Sequence, residues 1–305
     1  MTLTWWRAVL AIGALGLVAT GPARARESDA EAAIGLPGRL GLTGFQDMVD
    51  ARVPALLNVR GGLRYDVFVS NREFGGAFDA ELEREEHQFG AFIGVSALGL
   101  LDASLRFPFI YRKDSAEVNG LPDPSGSYDQ GWGDLDVAGK ASFGLGPIVL
   151  APYLYGKLPV GEPDVGDLAE LEYGGAATFS ILNQYLAVHA NLSGVQVEGG
   201  EAAFRYRLGA SVVVLATDAL LVRVYGYGDG IEYEGSTDSD FDLDLGVQAI
   251  LFKFFFAELG ATVRLADAGK IDDDLKKDLG STIDRHFDDD GTWGMSLSAG
   301  VIVDF

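Results

Sequence analysis

The sequence ends in SLSAGVIVDF, residues 296–305, and this stretch alternates between two kinds of side chain. One set of alternate positions is entirely apolar, and its members are Leu297, Ala299, Val301, Val303 and Phe305. The residues between them are mostly small or polar. Successive side chains of a β-strand point to opposite faces, so this period of two predicts a terminal strand with one apolar face. That face must meet either a protein core or hydrocarbon.

The same alternation recurs along most of the chain and predicts about twelve strands. The segments are 57–70, 87–96, 102–112, 134–143, 148–156, 172–181, 185–194, 202–214, 220–229, 241–250, 254–265 and 293–305. Segment 148–156 is less regular because apolar residues occur on both of its faces. A soluble β-sandwich also alternates in this way, so the strands alone predict only an all-β fold.

The links between the segments alternate in length. The links after the even-numbered strands are tight, whereas those after the odd-numbered strands are mostly longer: roughly 70–85, 113–131, 157–170, 196–200, 230–239 and 266–291. In an up-and-down meander, all odd links lie at one end and all even links at the other. Short turns at one end and long loops at the other are typical of outer-membrane barrels. The sequence therefore predicts a transmembrane antiparallel up-and-down β-barrel over residues 55–305.

The N-terminus has the features of a secretory signal peptide. Arg7 precedes an apolar run at 8–20, and Ala23-Arg24-Ala25 follows as an A-x-A cleavage pattern. The run is too short to span a bilayer as a helix. We expect residues 1–25 to be removed on export and the chain to reach the outer membrane of a Gram-negative bacterium. A retained anchor helix is the alternative.

Composition excludes several classes of function. The chain carries 45 acidic and 23 basic residues, a net charge of −22, so it lacks the basic face that nucleic-acid binding requires. It contains no cysteine, which excludes disulfides and a lipoprotein anchor. No sequence motif indicates a cofactor.

Charged residues on the second face of the strands are expected to point into the barrel lumen, because a charge on the lipid face costs about 2–4 kcal/mol at the membrane midplane. The candidate lumen-lining residues are Arg60, Arg64, Arg106, Asp134, Asp136, Lys140, Arg205, Arg207, Arg223, Asp242, Asp244 and Glu258. Asp66, Asp102, Glu172 and Asp229 share that face. These groups would either pair across a packed interior or line a wet pore, and Arg205/Arg207 opposite Asp242/Asp244 could set a transverse field.

Twelve strands lie between the eight that side chains fill and the sixteen that leave an open channel, so we expect a narrow or partly plugged pore. Residues 26–54 do not follow the strand pattern. They form either a periplasmic extension or a short plug, and Gly44 to Val53 is compatible with a short amphipathic helix.

Two stretches resemble known families. The terminal strand ending at Phe305 resembles the C-terminal signature of bacterial outer-membrane proteins, which implies recognition by the barrel-assembly machinery and contact with membrane lipid and lipopolysaccharide. Gly131-Trp132-Gly133-Asp134-Leu135, followed by Lys140, resembles a segment of the outer-membrane transporters named for a MetA pathway of phenol degradation. In this chain Ala-Ser-Phe follows Lys140, where that family has an aromatic residue. The resemblance implies uptake of small, apolar molecules, with Asp134 as a loop anchor.

Enzyme and metal sites are not expected. His189, Asn191 and Ser193 fall on the lumen face, whereas attack on a lipid ester needs access from the lipid side, and positions i and i+4 of a strand lie about 13 Å apart. Asp240, Asp242 and Asp244 start like an EF-hand loop, but Leu245 occupies the position that requires glycine. The acidic runs Asp272–Asp274 and Asp288–Asp290 are interpreted as solvated loop in preference to a divalent-cation site.

The main functional prediction is a non-enzymatic barrel channel or transporter for passive passage of small solutes, including hydrophobic or aromatic ones. The alternative is a structural or surface-recognition barrel whose acidic extracellular loops contact ions, lipopolysaccharide or another cell. A plugged lumen would favour the alternative.

Overall fold

A computed structural model describes residues 36–38, 41–55, 57–74, 80–118, 121–122, 127–162, 170–181, 185–197, 202–217, 219–233, 239–266, 287–288 and 292–305. The signal-peptide prediction for residues 1–25 lies outside these residues, as do the acidic run Asp272–Asp274 and Asp289–Asp290. Within them, no helix is long and apolar enough to cross a membrane.

Most of the described residues lie in β-strands. Two short strands, β1 (Gly44–Phe45) and β2 (Met48–Val49), make a hairpin of their own. The remaining strands belong to one sheet: β3 (Asn58–Phe74), β4 (Ala80–Ala97), β5 (Leu101–Val118), β6 (Leu121–Pro122), β7 (Ser127–Trp132), β8 (Leu135–Ala141), β9 (Phe143–Leu145), β10 (Ile148–Leu158), β11 (Glu170–Ile181), β12 (Leu186–Val197), β13 (Ala202–Ala216), β14 (Leu220–Tyr233), β15 (Ser239–Leu251), β16 (Phe255–Ala266), β17 (Phe287–Asp288) and β18 (Trp293–Asp304).

The sheet closes into an antiparallel barrel of twelve strands, as the alternation predicted. Each long strand pairs with its neighbour in the chain, and β18 pairs with β3 to complete the circle, in a register that runs from Trp293↔Val69 to Asp304↔Asn58. The fourth of the twelve barrel strands consists of three shorter strands, β7, β8 and β9, in succession. Among the described residues, closure pairs each long strand on both sides, as a bilayer requires because it cannot hydrogen-bond to an open sheet edge.

The barrel is apolar outside and mostly polar inside. Along β18, Leu297 is 52% exposed and Val301 45%, whereas Ser296 and Ser298 on the other face are buried. The buried residues of the protein therefore line the lumen, opposite to a soluble sandwich, whose apolar residues face inward. Ile302 is the exception on its face, because it is buried in an apolar cluster with Leu36 near the tight-turn end.

The strands are longer at the loop end than their apolar alternation indicates. The sequence analysis assigned 70–85 to a loop, but β3 and β4 stay paired from Ser70↔Arg84 to Phe74↔Ala80. Antiparallel backbone hydrogen bonds need no apolar side chain, so a ladder can continue into a polar sequence beyond the apolar belt. The apolar pattern therefore marks the lipid-facing belt of the barrel and underestimates the length of the strands.

The fourth barrel strand is interrupted at Gly133-Asp134-Leu135. β7 ends at Trp132, which pairs with Phe109 of β5, and pairing with β5 resumes at Asp136 of β8, opposite Arg106. Three residues lie between Trp132 and Asp136 but only two between Arg106 and Phe109, so this side has one extra residue. The backbone N–H of Gly133 donates to the carbonyl of Pro108 over 2.9 Å. Pro108 has no N–H with which to donate a hydrogen bond back to this strand, so the hydrogen-bond ladder between the two strands is interrupted here. The extra residue forms a bulge.

Residues 44–53 do not form the helix that the sequence allowed. The hairpin of β1 and β2 turns at Gln46, whose φ is 39°, and Gly44 has a φ of 155°. A Cβ at Gly44 would approach the Asp50 backbone nitrogen to 3.1 Å. A helix bonds its backbone groups internally, whereas this segment exposes them to polar side chains of the barrel wall, which supply the partners instead.

Candidate functional site

The lumen is occupied by residues 36–38 and 41–53, named here the plug. Leu36, Leu42, Phe45, Met48 and Ala51 are all at most 2% exposed. The plug returns to the tight-turn end, where the N–H of Gly99 in the β4–β5 turn donates to the carbonyl of Pro54 over 3.0 Å. The hairpin tip therefore points toward the loop end, and both arms run back toward the tight turns.

One side of the plug is held by charged residues of β3, β5 and β8. The Asp102 carboxylate accepts a hydrogen bond from the Thr43 N–H over 2.8 Å and also pairs with Arg60. Arg60 Nε donates to the Gly41 carbonyl over 2.8 Å. The Lys140 ammonium donates to the carbonyls of Thr43 and Arg52 over 3.3 and 3.0 Å, and it also contacts the Asp50 carbonyl.

The opposite side of the plug is held by uncharged polar groups of β11 and β12. The side-chain amide of Asn191 accepts from the Val49 N–H over 2.8 Å and donates to the Val49 carbonyl over 2.9 Å. Thr178 Oγ1 accepts from the Ala51 N–H over 2.9 Å. One amide thus satisfies both backbone groups of a residue, as a neighbouring strand would.

The hairpin tip is fixed by aromatic and amide groups. Phe45 stacks on Tyr225 with ring centroids 4.5 Å apart, and the Arg223 guanidinium lies 5.3 Å from the Phe45 ring centre. Arg223 and Gln248 both donate to the Gly44 carbonyl, over 2.9 and 3.0 Å. These contacts come from β14 and β15, so the plug is bonded to walls on three sides.

Asp50 and Arg52 form an ion pair within the plug. Arg52 donates to the Asp50 carboxylate from Nε over 2.9 Å and from Nη2 over 2.7 Å. Arg223 Nη1 lies 3.7 Å from the same carboxylate, and Thr178 donates to it over 3.1 Å. Burial alone would raise the pKa of Asp50, but the nearby positive charges, Arg52 above all, hold it well below its usual range. The carboxylate is therefore charged throughout the neutral range.

The predicted lumen residues are placed as follows. Ten are almost fully buried within the barrel wall: Arg60, Arg64, Arg106, Asp134, Asp136, Lys140, Arg207, Arg223, Asp244 and Glu258. Arg205 and Asp242 are partly exposed, with side chains at 24% and 22%. Of this set, Arg60, Lys140, Arg223 and Glu258 bond to the plug, and Glu258 does so by accepting from the Gln46 N–H over 3.1 Å.

Most of the other charges pair with one another along the wall. Arg207 donates to Glu172 over 2.8 Å and to Asp229 over 3.1 Å, and Arg205 pairs with Asp229 over 2.5 Å. Arg264 donates to Asp242 over 2.9 Å. Both arginines and Asp242 therefore have partners of opposite charge nearby, and the transverse field between Arg205/Arg207 and Asp242/Asp244 stays a prediction.

Asp134 lies at the strand break and bonds to the loop side of β10. Its carboxylate accepts from the Gly161 N–H over 2.9 Å, and the Glu162 N–H donates to the Trp132 carbonyl over 2.8 Å. A Cβ at Gly161 would come within 2.6 Å of the Gly133 backbone, so glycine is needed for this approach. Asp134 thus ties the segment after β10 to the bulge.

His189, Asn191 and Ser193 serve the packing of the lumen. His189 lies 3.1 Å from the Thr178 hydroxyl and 2.9 Å from the Ser211 hydroxyl. Ser193 donates to Glu172 over 2.9 Å. The histidine and Ser193 therefore bond to different partners. Among the described residues, no cluster of three or more histidine, aspartate or glutamate side chains is arranged to hold a metal ion.

Above the hairpin tip, toward the loop end, a cavity of about 390 Å³ remains open in the lumen; it is named here the vestibule. Its floor is Gln46 and Asp47 of the plug, and its wall includes Arg64, Asp66 and Arg112. Charges of both signs line it, and several are paired: Arg64 donates to Asp66 over 2.8 Å and Arg112 to Glu86 over 2.9 Å. The vestibule can therefore accept a small polar or zwitterionic molecule.

Sequence reasoning did not single out the uncharged residues that grip the plug. Thr178, Gln248 and Ser142 bond to plug backbone. Thr178 and Gln248 lie at inward positions of β11 and β15, and Ser142 is a buried residue between β8 and β9. The sequence feature that could have identified them is an amide or hydroxyl side chain on the face opposite the apolar residues. Without a defined path for residues 36–53, nothing distinguished them from other inward polar residues.

No protein-family model matches the chain, and no curated protein matches it. The chain is similar in structure to an outer membrane channel from Pseudomonas putida F1, with a TM-score of 0.55, 11% identity, and coverage of 85% of this chain and 100% of that one. It is less similar to the transport unit of the autotransporter AIDA-I from Escherichia coli (TM-score 0.43, 10% identity, 92% and 98% coverage). The β domain of the Bordetella autotransporter BrkA matches at a TM-score of 0.42, with 14% identity and 79% and 99% coverage. At 11% identity, the likeness to the Pseudomonas putida channel shows the fold alone, that of an outer-membrane β-barrel.

Proposed function

We propose that this protein is an outer-membrane channel for passive passage of small solutes, and that the plug closes its lumen. The observation that carries the proposal is that the wall charges are mostly paired within the wall. Arg207 with Glu172, Arg264 with Asp242 and Arg64 with Glu258 have their ion-pair partners in the wall itself and not in the plug. A wall that stays electrically satisfied can line water, so displacement of the plug would leave a hydrophilic pathway.

The vestibule supplies the docking space for the solute. Its volume of about 390 Å³ falls at the small end of typical ligand sites, which favours small molecules. Its lining of both charge signs supports polar solutes. The resemblance of Gly131–Leu135 and Lys140 to the phenol-degradation transporters instead implies apolar or aromatic solutes, so the substrate panel in any test must contain both kinds.

The experiment locks the plug to the wall. The Ala51 N–H bonds to Thr178 Oγ1 over 2.9 Å, which places these two residues next to each other, and the chain has no cysteine of its own. Formation of a disulfide between cysteines at the two positions is verified by intact mass before flux is measured. Solute flux into liposomes and conductance in planar bilayers are measured for Ala51→Cys/Thr178→Cys, oxidised and then reduced. We expect oxidation to suppress flux and reductant to restore it, with no redox effect in either single variant.

Two results would contradict this proposal. If neither the native protein nor the reduced variant passes ions or solutes, the barrel is not a channel. If flux is equal in the oxidised and reduced states, the pathway does not run through the space that the plug occupies.

A second candidate function is a structural or surface-recognition barrel, and the filled lumen favours it. The plug buries apolar residues as well as polar ones, so it contributes to the stability of the interior. In this case removal of the plug contacts would lower barrel stability without opening a pathway. Absence of flux from a variant whose plug is demonstrably released would support this second function.

The location and partners follow from the same proposal. An exported chain with an apolar outer belt requires a membrane, and residues 1–25 would direct the export. The terminal strand presents Val301, Val303 and Phe305 on its outer face, where the barrel-assembly machinery would recognise them. Removal of Phe305 should slow assembly in the outer membrane, measured as the heat-modifiable folded fraction on a gel, whereas Leu265→Ala on the outer face of β16 should not.

A further inference from the structure

Asp244 is a buried carboxylate of the barrel wall without a basic partner among the described residues. It lies on the inward face of β15 and is 3% exposed. The hydrogen bond that it accepts comes from the Thr262 hydroxyl, and none of the ion pairs in the described part of the chain includes it. A charge buried without a partner is costly, so carboxylates inside proteins are normally paired. Asp244 is therefore a group that a bound cation would satisfy.

The register of the neighbouring strands explains why Asp244 differs from the other aspartate on its strand. Two residues away on the same face, Asp242 has Arg264 as its partner on β16, and the two form an ion pair over 2.9 Å. The partner of Asp244 on β16 is Thr262, and its partner on β14 is Tyr227. Both of these side chains offer a hydroxyl group instead of a base. β16 thus supplies one base for two aspartates.

The charged groups that interact most strongly with Asp244 are further carboxylates. They are Asp47, at the tip of the plug, and Asp229 and Asp242 of the wall. Asp229 and Asp242 are each paired with an arginine, so the uncompensated charge of the wall lies at Asp244. Asp47 lines the vestibule together with Gln46 and Thr262. The negative end of the vestibule is therefore beside the plug tip.

Gln46 provides an unsatisfied acceptor at the same place. Gln46 is 5% exposed, and its side-chain carbonyl oxygen has no hydrogen-bond partner among the described residues. Its Nε2 donates to Thr262 Oγ1 over 3.4 Å and to Ser296 Oγ over 3.3 Å. Thr262 gives its own proton to Asp244 and can only accept from Gln46, which fixes the orientation of the amide. A buried acceptor without a donor indicates that a bound molecule supplies the donor.

We propose that the plug-tip end of the vestibule binds the ammonium group of a small primary amine. The ammonium has three N–H donors, and the site offers three acceptors, namely the carboxylates of Asp244 and Asp47 and the side-chain oxygen of Gln46. The hydrocarbon part of the amine extends into the vestibule, whose volume is about 390 Å³. The inference rests on the proposed function for the role of the amine, because it names the class of solute that the vestibule accepts.

The three acceptors select a primary amine over other cations and over zwitterions. A quaternary ammonium carries the charge but no N–H, so it would leave the Gln46 oxygen unsatisfied. An α-amino acid would bring its own carboxylate close to Asp47 and be repelled. A metal ion is disfavoured, because no three acidic or histidine side chains within the described ranges are arranged as its ligands.

The test is saturation-transfer NMR of the purified full-length barrel in detergent, with protein-free micelles as the blank. The protein is titrated at pH 7 with n-butylamine, which is then an ammonium ion, with butanol, or with butyltrimethylammonium. We expect the dissociation constant of n-butylamine to be about tenfold or more below those of the other two compounds. Butanol tests the need for the charge, and butyltrimethylammonium tests the need for the N–H donors.

Three variants locate the site. Asp244→Asn keeps the shape of the side chain and removes its charge, so it should weaken n-butylamine binding about tenfold or more. Gln46→Met removes only a neutral acceptor and should weaken binding about fivefold. Asp304→Asn, at the tight-turn end of β18, removes the same charge at the opposite end of the barrel and should leave binding unchanged. Folding of each variant is checked by heat-modifiable migration on a gel.

Four results would overturn the proposal: no binding of n-butylamine, equal binding of butanol, equal binding of butyltrimethylammonium, or unchanged binding in folded Asp244→Asn. The failure of the proposed channel function is distinguishable, because binding is measured without any flux. If the amine binds but no solute crosses the membrane, the site stands and the channel proposal fails. If other solutes cross but no amine binds, the channel proposal stands and this assignment fails.

Discussion

The ammonium of Lys140 donates a hydrogen bond to the backbone carbonyl of Arg52 over 3.0 Å, and to that of Thr43 over 3.3 Å. These carbonyls belong to the two arms of the plug, one before the hairpin and one after it. A single cation of the wall therefore clamps both arms. Asp102, 3.7 Å from the same ammonium, supplies the compensating charge.

Lys140→Met should release the plug while retaining most of the side-chain volume. Removing one member of a buried charged network costs roughly 3–5 kcal/mol. Because Lys140 bonds to the plug, most of this cost destabilises the plug-bound state. Hydrogen exchange of the backbone amides of residues 41–53 should accelerate by about a hundredfold or more. Flux through the barrel should rise with it.

The control for this substitution is Lys253→Met, in the exposed turn between β15 and β16. It removes the same charge without touching the lumen and should change neither exchange nor flux. Unchanged exchange in Lys140→Met would show that Lys140 does not hold the plug.

Phe45→Ala should loosen the hairpin tip specifically. Phe45 is fully buried, packs edge-on to His189 with centroids 5.0 Å apart, and stacks on Tyr225. Truncation of a buried phenylalanine costs about 3–5 kcal/mol. Fluctuations of single-channel current should become more frequent if the tip gates the pathway. Phe179→Ala removes an outward ring of the same size and should leave the current trace as it is.

The Asp50 carboxylate gives a pH prediction with a definite sign. Its pKa in the plug-bound state lies well below its usual range because of the nearby positive charges. A group whose pKa is depressed stabilises the bound state above its free pKa, about 3.9, and loses that contribution as the pH falls through the depressed value. Protection of residues 41–53, corrected for intrinsic exchange, should therefore not weaken through Asp50 between pH 8 and pH 5.

Asp50→Asn removes this charge and leaves Arg52 buried without its partner, so protection should drop at every pH in that interval. A variant with native protection at pH 7 would contradict the assignment. A fall in native protection between pH 8 and pH 5 that Asp50→Asn abolishes would contradict the sign of the shift.

The barrel could be predicted from the sequence because one physical demand repeats in every strand. Leu297, Val301 and their equivalents must face hydrocarbon, so each strand carries the same period of two. The inward position of charges such as Arg60 and Glu258 follows from that period, since the alternative face would place them in lipid. The number of strands and their order needed only local information.

The sequence left a short plug and a periplasmic extension as alternatives for residues 26–54, and the path of the plug could not be predicted, because its partners are distant in sequence and chemically ordinary. Val49 bonds to Asn191 and Gln46 to Glu258, across separations of 142 and 212 residues. The plug backbone is satisfied by side chains of the wall, so it needs no periodic pattern of its own. The extent of β3 and β4 beyond the apolar belt was missed for a related reason, since backbone pairing there is independent of side-chain polarity.

Gly94→Ala should disturb the plug through the wall beside it. A Cβ at Gly94 would lie 2.7 Å from the Gly41 carbonyl oxygen and 2.8 Å from Arg60 Nε, so it would force apart the hydrogen bond that joins these two groups. We expect a loss of about 1–3 kcal/mol, seen as faster exchange around residue 41 with the barrel itself still folded. Gly175→Ala is the matched control, because a Cβ there meets nothing within 4 Å. If both substitutions accelerate exchange equally, the effect is a general one of replacing glycine in a strand. The close approach of the plug to β4 then contributes nothing to the stability of the plug-bound state.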